Sequence, residues 1–386
     1  MPVSLALAAT LASVPSSLRA GEPTQPAATG NRWQRLDREP IDPPVHRQDR
    51  GAKQSRVAPI SPEQAAAFQQ ALWDAHALAD AYGVTFAAVH DGTLLWAGAS
   101  GVERDGLTQL AADRPQVIGS VTKTFVAALI LQLIDEGRLS LDEPAAQLLP
   151  EAIAAVGAAT VRQLLDHTSG MADVYFTEAL RAALDETPDR VLGHFEVLAT
   201  LPGPWFVAGD TSTYSNANYL VLALIAERAL HRPLAQTLEA RFAKPLGLAT
   251  TRTLDPLGAD EPMPPAWRSI FWGSGAMASS AADLARWGDA LYGGALLTPG
   301  TRQQMLTFND HGHGLGVQQL SFGELSGYGH VGLLNTFTSL LVYLPDADVT
   351  LAVLVNRSEV DAYSMLTHAV DGRPSLLDVV LSAAAP

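Results

Sequence analysis

The stretch Ile118-Gly119-Ser120-Val121-Thr122-Lys123-Thr124-Phe125, continued by Val126-Ala127-Ala128-Leu129-Ile130-Leu131-Gln132-Leu133-Ile134, carries the decisive pattern of the chain. After Lys123 nearly every position is apolar, as in a helix buried on all sides rather than one with a wet face. Lysine is confined to Lys53, Lys123 and Lys244, so one inside this run needs a chemical reason. A buried ammonium requires partners or gives up its proton. Three residues before it, on the same helix face, stands Ser120, whose hydroxyl proton an amine there can take. The spacing predicts a nucleophile beside its base. Gly119 permits a tight turn just before the helix and sets Ser120 at its N-terminus, where free N–H groups and the helix dipole favour a developing oxyanion.

The rest of the composition narrows the partners. With 386 residues, 47% hydrophobic and 17% charged, the chain is globular and long enough for a large core, read as two interleaved subdomains. A net charge of -15 opposes a nucleic-acid partner, because phosphate binding needs a basic face. A small-molecule or peptide substrate fits better. The absence of cysteine excludes disulfides, thiol catalysis and thiolate metal sites, and leaves the redox compartment open.

Residues 1–20 read as a secretory signal peptide: an apolar run from Val3 to Val14 precedes small residues, although no Lys or Arg stands before Arg19. The run is too short to span a bilayer. The expectation is a periplasmic or secreted protein with no stable membrane span. Residues 21–62, rich in Pro, Gln, Arg and Asp without periodicity, read as a disordered linker.

The folded body, residues 63–386, is predicted to be α+β. Its α/β part covers about 63–119 and 301–386, and a mostly helical part covers about 120–300. Ser61-Pro62-Glu63 reads as the cap and first turn of a helix running to about Tyr82. Val84–His90 and Thr93–Gly98 flank Asp91-Gly92, a pair suited to a type I′ hairpin turn. Later strands are expected at Leu315–Phe322, Thr336–Leu344 and Val349–Asn356, and a closing helix at Ser375–Ala383. Hairpin and late strands must share one antiparallel sheet, since a hairpin alone has too few strands to be stable.

Two further clusters carry polar chemistry. Tyr214-Ser215-Asn216 lies between a Pro/Gly segment and a helix; a phenol near an ammonium can have its pKa lowered and shuttle a proton to a leaving group, while an amide can orient a lysine or a substrate carbonyl. Gly329-His330-Val331-Gly332-Leu333 is placed at a junction between strands. There glycine admits close backbone approach, a following N–H can be a second oxyanion donor, and His330 offers a positive or hydrogen-bonding edge.

In this order, Ser-x-x-Lys, Tyr-x-Asn and His-x-Gly resemble the class C β-lactamase and D-alanyl-D-alanine carboxypeptidase family of serine hydrolases, which includes esterases and D-aminopeptidases. The likeness covers roughly residues 65–385, with supporting stretches at Gly137–Pro144, Leu164–Met171, Pro245–Leu248, Gly275–Ala285 and His313–Gly316. It implies a β-lactamase/transpeptidase-like fold, an antiparallel sheet flanked by helices with an inserted helical subdomain. It also implies Ser120 as the acylated nucleophile, Lys123 and Tyr214 sharing base and acid work, and Asn216 orienting lysine and substrate. Backbone N–H groups of Ser120 and Leu333 would form the oxyanion hole, with His330 and Gly332 on the substrate side. Neither metal nor cofactor is required.

Two departures bear on the substrate. His330 stands where β-lactamases carry the lysine of a Lys-Thr-Gly box, and Val331 where a hydroxyl or glycine is usual. Losing that donor weakens binding of β-lactams and D-Ala-D-Ala termini. The expected reaction is hydrolysis of an ester, amide or D-amino-acid peptide bond, with a true β-lactamase or a catalytically inactive penicillin-binding-like protein as alternatives. His167, and the pair His311 and His313, read as structural rather than catalytic or metal-binding.

Overall fold

A computed structural model describes residues 60–386 apart from Asp260, Ala295, Glu359 and Pro386. The expected signal peptide, and all of the expected linker except its last three residues, lie outside the described residues. Ser61 caps helix α1 (Pro62–Leu78) through a reciprocal box with Gln64, its hydroxyl accepting from Gln64 N at 3.2 Å. Such a cap stabilises a helix by about 1 kcal/mol.

The strands in chain order are β1 (Gly83–His90), β2 (Thr93–Gly101), β3 (Gln116–Val117), β4 (Arg252–Thr253), β5 (Met277–Ser279), β6 (Gln318–Phe322), β7 (Leu325–Leu334), β8 (Phe337–Leu344) and β9 (Val349–Val355). Six of them form one antiparallel sheet in the order β2-β1-β9-β8-β7-β6. The β1–β2 turn has φ 46° at Asp91 and 73° at Gly92, the two positive values that a type I′ turn demands. As the sequence requires, hairpin and late strands meet, with β1 pairing β9 from Val84↔Val355 to His90↔Val349. β3, β5 and β4 make a second small sheet that the sequence did not announce, because two or three residues carry no periodicity.

The face of the large sheet that carries Phe86, Leu340 and Leu351 packs on α1 and the closing helix Leu376–Ala384. On the other face lies helix Ala281–Tyr292, capped by Ser280. Gly288 allows that close approach: a Cβ there would stand 2.7 Å from Leu341 Cδ1. Helix α2 (Thr122–Asp135) is buried on almost every side, Gln132, Ile134 and Asp135 being its only partly exposed residues. Against it Trp287 stacks on Phe125 at 3.8 Å and donates Nε1–H to Thr124 Oγ1 at 2.8 Å.

One expectation is corrected. Residues 329–334 do not sit at a junction but inside the continuous strand β7. Gly327, Gly329 and Gly332 hide it by breaking the apolar alternation. They are needed where neighbours crowd in, as at Gly329, whose Cβ would stand 1.9 Å from Leu341 O.

Candidate active site

Ser120 occupies the middle of a single 3-10 turn, Gly119–Val121, that runs directly into α2. Gly119 takes φ 49°, and a Cβ on it would be 3.0 Å from Leu333 N. Opposite, a Cβ on Gly332 would stand 2.2 Å from both Ile118 O and Ser339 Oγ, and Ser339 Oγ donates to Ile118 O at 2.7 Å. Two glycines and one serine therefore clamp the turn onto β7. The clamp brings Ser120 beside Leu333, whose side chain is 48% exposed.

Lys123, one turn further on, is fully buried. Its Nζ lies 2.7 Å from Ser274 O, 2.8 Å from Asn216 Oδ1 and 3.1 Å from Ser120 Oγ. Burial brings the amine down to about 7, against the opposing charge of Asp173. The Asn216 amide cannot turn over freely, because its Nδ2 donates to both oxygens of Asp173 at 3.1 Å and its backbone N to Oδ1 at 3.1 Å. Asn216 therefore presents oxygen to Lys123.

Tyr214 faces the same lysine, with Nζ 4.8 Å from its ring centre. Its hydroxyl is buried without a partner of good hydrogen-bond geometry, although Ser120 is near enough to favour the phenolate slightly. Burial outweighs that help and raises the phenol well above its ordinary range. The expectation of a lowered Tyr214 pKa is thus corrected: no net stabilisation by the ammonium compensates for desolvation, and the phenol keeps its proton. Behind it His167 stacks at 4.4 Å, its Nδ1 accepting from Ser215 N at 3.2 Å.

His330 projects from β7 toward this group, its ring 6.3 Å from that of Tyr214. It is 2% exposed, and Nδ1 lies 2.6 Å from Val331 O, a carbonyl that can only accept, so Nδ1 carries the hydrogen. Burial, with Lys123 nearby, holds the ring down to about 3, which favours the hydrogen-bonding edge over the positive one of the two expected for His330. Val331 lies on the other face of β7, packed against the α1-side core, while its N–H is taken by Gln318 Oε1 at 3.1 Å.

The structure thus gathers Ser120, Lys123, Tyr214, Asn216, His330, Gly332 and Leu333 in one place. Sequence reasoning missed Asp173 and Ser274, which hold the lysine's surroundings. Asp173 comes two residues after the quoted stretch ending at Met171, and Ser274 one residue before the stretch beginning at Gly275; those borders were the available signal. A cavity of about 440 Å³ walled by Phe125, Leu238, Lys244 and Met277 contains none of the site residues. Among the described residues no three His, Asp or Glu converge as a metal site would need. No helix among them is long and apolar enough to cross a membrane.

Residues 68–371 match the family model described as Beta-lactamase. The chain belongs to that family of serine hydrolases. Penicillin-binding protein 4 of Amycolatopsis lactamdurans is 28% identical over 298 residues, covering 67% of this chain and 76% of that protein. Esterase EstB of Burkholderia gladioli is 32% identical over 171 residues, 41% of this chain and 43% of the esterase. Among solved structures, a D-stereospecific amidohydrolase from Streptomyces sp. superposes with TM-score 0.65 at 29% identity, covering 77% of this chain and 95% of that one. In this Beta-lactamase family member the sheet, the flanking helices and the turn that bears Ser120 form the family fold.

Proposed function

We propose that the protein hydrolyses an uncharged ester or a D-amino-acid amide through an acyl-enzyme on Ser120. One observation carries this reading: the three partners of Lys123. Ser274 O and the fixed Asn216 Oδ1 can only accept, so a neutral amine spends both its hydrogens on them. Its lone pair is left for the longest contact, 3.1 Å to Ser120 Oγ, the one partner able to donate. The base is aimed at its nucleophile.

Ser120 Oγ attacks the carbonyl carbon as its proton passes to Lys123 Nζ, and the tetrahedral oxyanion rests on the N–H groups of Ser120 and Leu333. The leaving oxygen or nitrogen takes a proton from the neutral Tyr214 phenol, which regains one from the Lys123 ammonium. Water then attacks the acyl ester and gives its proton to the regenerated amine; as the acyl carbon–Oγ bond breaks, the Lys123 ammonium returns that proton to Ser120 Oγ, which restores both the hydroxyl and the free amine.

The choice of substrate rests on His330. A neutral ring offers no cation to a substrate carboxylate, which disfavours β-lactams and free C-terminal peptides. The relatives named as an esterase and as a D-stereospecific amidohydrolase support an ester or a D-amino-acid amide as the bond cleaved. A secretory leader in residues 1–20 belongs to the proposal, and N-terminal sequencing of protein recovered from the periplasm or medium tests it.

Turnover of p-nitrophenyl acetate and of D-phenylalanine amide should vanish in Ser120→Ala, and a fluorophosphonate should add to Ser120 of the wild type. An unlabelled serine would point instead to a binding protein. Rapid nitrocefin hydrolysis would favour a true β-lactamase.

A further inference from the structure

Asp173 is a buried carboxylate, 5% exposed, placed just before the short turn Val174–Phe176. Among the described residues it accepts hydrogen bonds from Asn216 N, from Asn216 Nδ2 through both carboxylate oxygens, and from Tyr175 N at 3.4 Å. A carboxylate of this kind can only accept. Turning the Asn216 amide over in place would set its carbonyl oxygen against the oxygens of the carboxylate.

The consequence passes through Asn216 to Lys123. With the amide held, Lys123 meets oxygen at Asn216 and oxygen at Ser274, and its lone pair is directed to Ser120. If the amide were free to turn, Nδ2–H would face Nζ, capture the lone pair and remove the base from Ser120. The electrostatics act in the same direction. Lys123 is faced by Tyr214 and Tyr219, whose ring centres lie 4.8 and 5.5 Å from Nζ, by His330 from β7 and by His167 behind Tyr214. Burial keeps both histidines neutral and both phenols protonated, which leaves Asp173 as the group whose charge acts on the lysine. Burial raises the Asp173 carboxyl as well, and the hydrogen bonds from Asn216 together with the charge of Lys123 work against that rise in favour of the anion.

We propose that Asp173 is a positioning residue that, through Asn216, fixes the direction of the Lys123–Ser120 hydrogen bond. This rests on the Ser120–Lys123 reading above.

Asp173→Asn removes the charge, keeps the shape and lets the amide pair run either way. For p-nitrophenyl acetate, kcat should fall at least tenfold with KM within about twofold, because substrate contacts are untouched. The acid limb of kcat/KM should also move to lower pH by about one unit, the low end of what an opposite charge contributes within 4–6 Å. Asp173→Glu keeps the charge and should leave the limb in place while lowering kcat. It also serves as the measurement of record if the Asn variant fails to fold by circular dichroism, a limb that moves in Glu then overturning the proposal. A folded Asp173→Asn enzyme with an unmoved limb, or with a loss confined to KM, overturns it too. Fluorophosphonate labelling of wild-type Ser120 separates the two failures: a labelled serine with an unmoved limb refutes only the role of Asp173, whereas an unlabelled one refutes the underlying reading.

Discussion

Gly332→Ala is the sharpest perturbation of the proposed oxyanion hole, because it adds one methyl group and alters no polar atom. The added Cβ would lie 2.2 Å from Ile118 O and 2.2 Å from Ser339 Oγ, where ordinary contact begins at 3.4 Å. Relief requires β7 and the Ser120 turn to part by about 1 Å, since Ile118 O is backbone and Ser339 Oγ is held by its bond to that same oxygen at 2.7 Å. The parting acts on the distance between Ser120 and Leu333 N, the two donors assigned to the oxyanion. Misplacement of about 1 Å costs near 100-fold in rate, and loss of one oxyanion donor costs about 100- to 1000-fold in kcat. The expected outcome is therefore a kcat for p-nitrophenyl acetate reduced about 100-fold or more, with KM nearly unchanged and Ser120 still open to slow fluorophosphonate labelling. Gly300→Ala is the control, because a Cβ there meets nothing within 4 Å, and it should match wild type. A folded Gly332→Ala enzyme with kcat within twofold of wild type would refute the placement of the second donor at Leu333.

Three other outcomes follow from the same geometry. For the wild type, kcat/KM should fall below about pH 7 with the slope of one proton, because protonation of the buried Lys123 amine consumes the lone pair that faces Ser120; a flat profile from pH 5 to 8 would contradict that base. His330→Lys introduces at this point of β7 the lysine that the Lys-Thr-Gly box of β-lactamases carries, and since a charge-assisted hydrogen bond is worth about 1.5–3 kcal/mol, the ratio of penicillin acylation to ester hydrolysis should rise at least about tenfold, read by burst kinetics. Trp287→Ala, which removes a fully buried ring stacked at 3.8 Å on Phe125 and its bond to Thr124, should lower unfolding stability by about 3–5 kcal/mol in urea titrations.

What was legible in the sequence, and what was not, follows from the range of each interaction. The Ser120–Lys123 pair spans three residues of one helix, so its spacing alone brings the groups to 3.1 Å. The hairpin was equally plain, because Asp91-Gly92 supplies both positive φ angles locally. β7 was obscured for the opposite reason: its glycines answer to partners far along the chain, Gly332 to Ile118 and Gly329 to Leu341, and what they lack in side chain is visible only once those partners are in place. The polarity of Tyr214 was misread because its nearest charge was considered without the burial that opposes it.

Asp173 shows why such residues escape a reading by motif. It meets Asn216 across 43 positions of sequence, and nothing near Asp173 along the chain announces that partner. Yet without a fixed acceptor at Asn216, Lys123 would have a choice of partners, and the Ser-x-x-Lys spacing would place an amine near a hydroxyl without deciding which one gives the proton. The motif sets the distance and the buried carboxylate sets the direction. Two chains of this family with the same three motifs can therefore differ in how well Lys123 serves as a base, according to what accepts from the Asn216 amide.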